Sequence, residues 1–379
     1  MIYLDNAATT FPKPQSVYRE AERVMRECGG NPGRGGHSLA LAAAEEIYRC
    51  REAVADLLGG EPDRVVLTSN ATHALNLTLK GILQKGDHVL TSAIAHNSVR
   101  RPLYDLAKDG VEVEYYPVFP RGESVAAAIG RMIRPNTRVV EVTLRSNIAS
   151  LALPLAEIAA VCRGKGSPRG IILVVDAAQG VGMMPLSIRK LGKAVICAPG
   201  HKGLYGLTGS GFALFSKEIA PKEITPLLSG GSGVNSKDAE MPALFPERLE
   251  AGTLNVVAAA SLRAGIEAVQ AVGVEEIDRR ERSLRRRLTA MLISQGKAQV
   301  YLPHADEGGI VLFNVRGRTA EEVSAYLNSC GICTRAGLHC APLAHKLIGT
   351  PEGGAVRASV GMFTDEEDLE ALWRAVREM

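Results

Sequence analysis

Short apolar runs recur through the first half of the chain: Arg64 to Thr68, His88 to Thr91, Val111 to Tyr116, Arg138 to Leu144, Ile171 to Val175 and Ala194 to Cys197. Between them lie longer stretches, such as Ala71 to Leu83 and Ser98 to Asp109, whose apolar residues return at helical spacing. Helices inserted between successive strands act as crossovers, so the alternation predicts an α/β fold on a mostly parallel sheet. After the glycine-rich run Leu228 to Gly233 and the segment Leu249 to Asn255, the texture changes. Two long helical patterns, Val256 to Val272 and Gly273 to Gln295, precede strands with shorter helices, which reads as a second, smaller α+β domain.

The 379 residues, 46% of them hydrophobic, can bury the cores of two such domains. The 44 basic and 41 acidic residues are dispersed without a basic stripe, which points to a small-molecule substrate and away from nucleic acid. Asp5 interrupts any apolar leader, and no apolar run approaches the roughly 18 residues of a membrane span, so a cytoplasmic protein is expected. Seven scattered cysteines, an odd number, argue for reduced thiols over a disulfide framework.

Two predicted strands end in polar clusters, IILVVDAAQGVG over 171–182 and CAPGHKGLYGLTGSG over 197–211. Ligands of open α/β sheets collect at the carboxyl ends of strands, so Asp176, Gln179, His201 and Lys202 are expected to converge on one crevice. A carboxylate beside a pyridine nitrogen and a lysine able to form a Schiff base suit pyridoxal phosphate. Each residue alone has a plainer reading, the Asp as a helix cap and the Lys as an anion ligand, but the pair of strand ends is hard to explain as independent caps.

The motifs YLDNAATTFPKP, NPGRGGHSLA, LTSNATHALN, AHNSVRRPL, VDAAQ, GHKG, LEAGTLN, RAGLHCA and AVRASVG occur along the chain in that order. In these motifs and their order the sequence resembles the cysteine desulfurases, within the class V aminotransferase group of fold-type I pyridoxal-phosphate transferases. It is most similar to the branch in which HCA is followed by PLAHKLIGT. The resemblance implies a large domain over 15–255, and a small domain formed by 1–14 and 256–379 that carries the thiol. It further implies that Lys202 holds the cofactor, Asp176 faces the pyridine nitrogen, Gln179 and Asn147 lie near the ring hydroxyl, and His96 stacks on the ring. Ala71, Thr72, His201 and, from a homodimer partner, Thr253 would bind the phosphate. Cys340 would take sulfur from L-cysteine or L-selenocysteine and pass it to an unidentified acceptor, with Arg357 and Asn147 at the substrate. No metal is implied. Cys330 and Cys333 form a C-x-x-C, but no second pair or His pair accompanies them, which favours a structural role over zinc or redox chemistry.

Five positions depart from the family pattern: Pro199 for Ser or Thr, Gly180 for Thr or Ser, Leu144 for His, Ser150 for Gly and Ala95 for Glu. Three other readings stay open: a selenocysteine lyase, another pyridoxal-phosphate transaminase or lyase in which Cys340 is incidental, and a low-turnover cofactor-binding scaffold for sulfur transfer, whose only support is the departures at Pro199, Leu144 and Gly180.

Overall fold

The structure, a computed structural model, describes residues 1–33, 35–119, 121–164, 169–234 and 237–379; Arg34 of the NPGRGG motif lies outside them. A short strand β1 (Ile2–Tyr3) opens the chain. Seven strands form the main sheet: β2 (Val65–Thr68), β3 (His88–Ser92), β4 (Glu112–Tyr116), β5 (Thr137–Thr143), β6 (Ile172–Asp176), β7 (Ala194–Pro199) and β8 (Gly211–Phe215), in the order β2-β8-β7-β6-β5-β3-β4. The run from β7 to β4 pairs in parallel, whereas β8 is antiparallel to both its neighbours. The predicted strands are all present, with ends shifted by a residue or two. β8 has no predicted counterpart, because GFALF is a five-residue run closing a glycine-rich loop, with no helix before it to mark it as a strand of the sheet.

Alternation along these strands sends side chains into two cores on opposite faces. Val140, Val142, Leu173, Val175 and Ile196 enter one, and Val139, Ile172, Val174, Val195 and Cys197 enter the other. Glu141 interrupts β5 with a fully buried carboxyl group, to which Thr91 donates at 2.6 Å and Thr143 at 3.0 Å. The helix Val256–Val272 packs against the helices Gln15–Glu27 and Ser38–Leu58 and adds Ala260, Leu262 and Ile266 to the first core. Gly273, at φ +92, breaks the chain before the next helix, Val274–Ser294.

The C-terminal region adds β9 (Ala298–Tyr301), β10 (Ile310–Val315), β11 (Ile332–Cys333), β12 (Arg335–Gly337) and β13 (Ala355–Ser359). Four of them form an antiparallel sheet in the order β12-β13-β10-β9, over a third core that holds Leu4, Leu288, Phe313 and Leu372. β1 pairs in parallel with β11. The N-terminus thus starts on this two-stranded pair, touches β13 through the Asp5–Ser359 bridge and crosses to the ends of the large sheet, which places its motif beside the crevice.

Candidate active site

A cavity opens at the carboxyl ends of β5, β6 and β7, lined among others by Ala71, Thr72, His96, Asn147, Asp176, Gln179, His201 and Lys202. Eight positions assigned by the sequence reading therefore share one space. Asp176 ends β6, level with Thr143 on β5 and Cys197 on β7, and its Oδ1 accepts from the Ala178 amide at 3.1 Å. Burial raises its pKa, opposed by that amide and by Lys202. Lys202, in the loop after β7, is pushed down to about 8 by burial first and then by the Arg357 guanidinium, with Asp176 opposing. An amine so depressed has a sizeable neutral fraction near neutral pH, which a nucleophile or base needs.

The GHKG loop approaches its neighbours too closely for side chains: a Cβ at Gly203 would stand 2.4 Å from the carbonyl oxygen of Val181. Thr10 straps the loop, its amide donating to the His201 carbonyl at 3.1 Å and its hydroxyl to the Lys202 carbonyl at 3.0 Å. Gln179 Nε2 donates to the Ala7 carbonyl at 2.7 Å, so the N-terminal motif forms one wall.

The helix Ala71–Ile82 points its N-terminus into the cavity. Its cap, Asn70, accepts the His73 amide at 2.9 Å, leaving the amides of Ala71 and Thr72 at the helix's positive end for an anion. Ser98, which the motif reading passed over, lies 2.7 Å from Thr72 Oγ1 and 2.9 Å from His96 Nδ1. The signal for it was faint, a hydroxyl two residues after His96 at a helix start. Because Nδ1 of His96 also accepts the Ser98 amide at 3.0 Å, its ring proton sits on Nε2. Burial, then Lys202, pushes the pKa of His96 down to about 4. His201 is likewise held at about 4, by burial first and then by Lys202.

Thr253 does not reach this cavity. It is exposed, and its hydroxyl accepts from Asn31 Nδ2 at 3.2 Å on a neighbouring surface. Arg357, on β13, is almost fully buried: it donates through Nη1 to the Asn147 carbonyl at 2.8 Å and through Nη2 to Asp5 Oδ1 at 2.9 Å. Its Nε has no partner among the described residues. Sequence reading did not foresee Asp5, since that pairing spans 352 residues.

Cys340 is exposed and sits at φ +56, directly after His339 at φ +49. Non-glycine residues hold such conformations, at roughly 1–3 kcal/mol each, only where surroundings fix them. Here the Asn97 amide donates to the Cys340 carbonyl at 2.9 Å and Asn147 Nδ2 to the His339 carbonyl at 2.7 Å. Those two bonds pin the thiol's backbone to the cavity rim, between Asn147 and the neighbour of His96. Cys330, by contrast, is exposed just after the helix Ala320–Ser329, and Cys333 is half-buried on β11.

The donor set suits a phosphorylated pyridine. Asn147 Oδ1 and His201 Nδ1 are buried at the cavity without partners among the described residues, a carboxylate lies at the strand ends, and a helix N-terminus faces an anion-sized space.

The class-V aminotransferase family model matches residues 2–372. This chain belongs to that family. Among curated relatives of this class-V aminotransferase, a probable cysteine desulfurase of Methanothermobacter thermautotrophicus is 32% identical over all of this chain and 94% of its own length. A cysteine desulfurase of Yersinia pestis is 29% identical over 98% of this chain and 91% of its own. The apo structure of a cysteine desulfurase from Thermococcus onnurineus superposes with a TM-score of 0.90 at 30% identity, covering 100% of this chain and 94% of that one. The cysteine desulfurase CsdA of Escherichia coli, as its S-sulfonic acid, gives 0.84 at 25%, covering 99% and 94%.

Three of the five departures from the family pattern, at 180, 144 and 150, have local explanations. A Cβ on Gly180 would stand 2.4 Å from Leu144 Cδ2, so a side chain there would force the buried Leu144 to shift. The two departures are thus packed against each other. Ser150 Oγ accepts the Ile310 amide at 3.0 Å and lies 2.8 Å from the Ile310 carbonyl, tying the loop after β5 to β10. Pro199 lines the cavity where the family offers a hydroxyl. Ala95 is completely buried, and nothing in the structure explains its replacing a glutamate.

Proposed function

We propose that this class-V aminotransferase is a pyridoxal-phosphate-dependent cysteine desulfurase that converts L-cysteine to L-alanine and holds the sulfur as a persulfide on Cys340. The observation that carries the reading is the pinning of an exposed thiol to the rim of a cavity whose buried amine, Lys202, is depressed toward neutrality. Pyridoxal phosphate, when bound, supplies the electron sink that lets bonds around the substrate's Cα and Cβ be rearranged.

Lys202 would hold the cofactor through its amine and would move the Cα proton of the substrate. Asp176 would face the pyridine nitrogen and hold its proton; burial disfavours the free carboxylate, and a cationic nitrogen beside it would offset that cost. Ala71, Thr72, His201 and a partner subunit's copy of Thr253 bind the phosphate. His96, neutral and fixed in one tautomer, would cover the ring face, while Gln179 and Asn147 would address the ring hydroxyl. Arg357 takes the substrate carboxylate, with Asp5 sharing its charge. Cys340, as thiolate, attacks the substrate sulfur. A sulfur–sulfur bond forms as the Cβ–S bond breaks, and protons returned to Cβ and Cα complete alanine.

The homodimer is part of this proposal, because Thr253 lies away from the cavity of its own chain. A species of single-chain mass, 40.3 kDa, in solution light scattering would remove it. The activity is tested by incubating the purified protein with L-cysteine and a reducing thiol. Alanine and sulfide in equal amounts support the reading, and a yellow protein that makes neither sinks it.

A further inference from the structure

The Cys340 turn carries a chain of side chains that the reaction above leaves unused. His339 Nε2 lies 3.1 Å from the Arg335 carbonyl oxygen, His339 Nδ1 lies 3.1 Å from His345 Nε2, and His345 Nδ1 lies 2.9 Å from Thr350 Oγ1. The two imidazoles stack with centroids 5.3 Å apart and planes 13° from parallel. Burial first, then Arg357, holds His339 down to about 3 and His345 to about 4, so both rings are neutral.

That chain admits one arrangement of protons. A carbonyl oxygen only accepts, so His339 carries its proton on Nε2 and donates to Arg335. Its bare Nδ1 must then accept from Nε2–H of His345. The bare Nδ1 of His345 in turn accepts from the Thr350 hydroxyl. Both nitrogens of His339 are thereby occupied, which leaves it no lone pair with which to take a proton from the adjacent thiol. The bonds from Asn97 and Asn147 hold only carbonyls of the turn. Among the described residues, this relay is what holds the His339 side chain, and His345 is buried in the helix Pro342–Ile348 that follows the turn.

We propose that His345 is the positioning residue of the Cys340 turn: through Nε2–H it locks His339, and at its bare Nδ1 it is held by the Thr350 hydroxyl, so that the thiol is held in its left-handed conformation for attack on sulfur. The proposal rests on Cys340 being the persulfide-forming thiol.

The test uses holoenzyme variants His345→Leu, His345→Gln, Thr350→Val and Thr350→Ser beside wild type and Cys340→Ala. It reads kcat and KM for L-cysteine, bound cofactor by absorbance, and mass-resolved persulfide per chain in a single turnover. His345→Leu is expected to lower kcat and the rate of persulfide formation about tenfold, with KM within about twofold and cofactor unchanged. His345→Gln, whose amide N–H can still donate to His339, recovers most of the rate. Thr350→Val loses about threefold and Thr350→Ser restores it. A His345→Leu enzyme at wild-type kcat, or His345→Gln no better than His345→Leu, overturns the proposal, the latter by reducing His345 to a space-filler. Should His345→Leu not fold, equal rates for Thr350→Val and Thr350→Ser overturn it instead. Alanine formed at the wild-type rate by Cys340→Ala is a different failure, that of Cys340 as sulfur acceptor.

Discussion

Asp176 ends one of two adjacent parallel strands whose residues are all buried and Lys202 follows the other, whereas Cys340 and Arg357 come from a strained turn and an antiparallel sheet in the C-terminal region. On the first wall, position follows from chain direction. Neighbouring strands in register bring their carboxyl ends level, and whatever residues stand there meet. On the second wall, position follows from individual polar bonds between distant segments: Asp5 to Arg357, Asn147 to His339 and Asn97 to Cys340. The first wall should therefore tolerate loss of single hydrogen bonds and fail through loss of its chemical groups, and the second should fail through loss of alignment.

The largest expected contrast separates the walls directly. Lys202→Ala is expected to lose cofactor absorbance and both products, while Cys340→Ala stays yellow and loses about a thousandfold or more of its desulfuration rate. Comparable losses of colour in both variants would contradict the division of roles.

Next comes Glu141, behind the first wall, whose pKa is raised to about 8 by burial. Between about 4.5 and 8 the folded state keeps a proton that the unfolded chain has released, so stability falls as pH rises through this window. Glu141→Gln removes that loss and can keep both threonine contacts. It is expected to be more stable than wild type by roughly 3–5 kcal/mol above pH 8, with no difference below pH 4.5. Denaturant melts at several pH values check this, and a pH-independent difference would show that Glu141 is not buried as a neutral acid.

On the second wall, Arg357→Lys replaces a fork by a point charge and abandons either Asp5 or Asn147. KM for L-cysteine is expected to rise about tenfold to a hundredfold, with a smaller change in kcat. An unchanged KM would remove the carboxylate role.

The smallest effect probes the contact between 144 and 180. Gly180→Ser is expected to cost about 1–3 kcal/mol against Leu144, with a favourable coupling of about 1 kcal/mol when combined with Leu144→Ala. Strictly additive melts in the double-mutant cycle would mean that the two departures are independent.

The parallel strands and the two helices Val256–Val272 and Val274–Ser294 were legible because their signals are local: apolar runs, helical periods and a glycine between them. β8 was not, since a strand that turns back antiparallel announces itself only through its partners. The convergence of Asp176, Gln179, His201 and Lys202 could be read because it rests on strand direction. Cys340 and Arg357 could be singled out only through resemblance, for HC and VR have no local meaning. What the sequence determined by itself was which groups stand at strand ends and helix starts, as backbone periodicity is a short-range property. Tertiary structure alone decided that Asp5 meets Arg357, that Leu144 and Gly180 share one space, and that two histidines and a threonine join into a relay, because each needs segments brought together by packing rather than by chain neighbourhood.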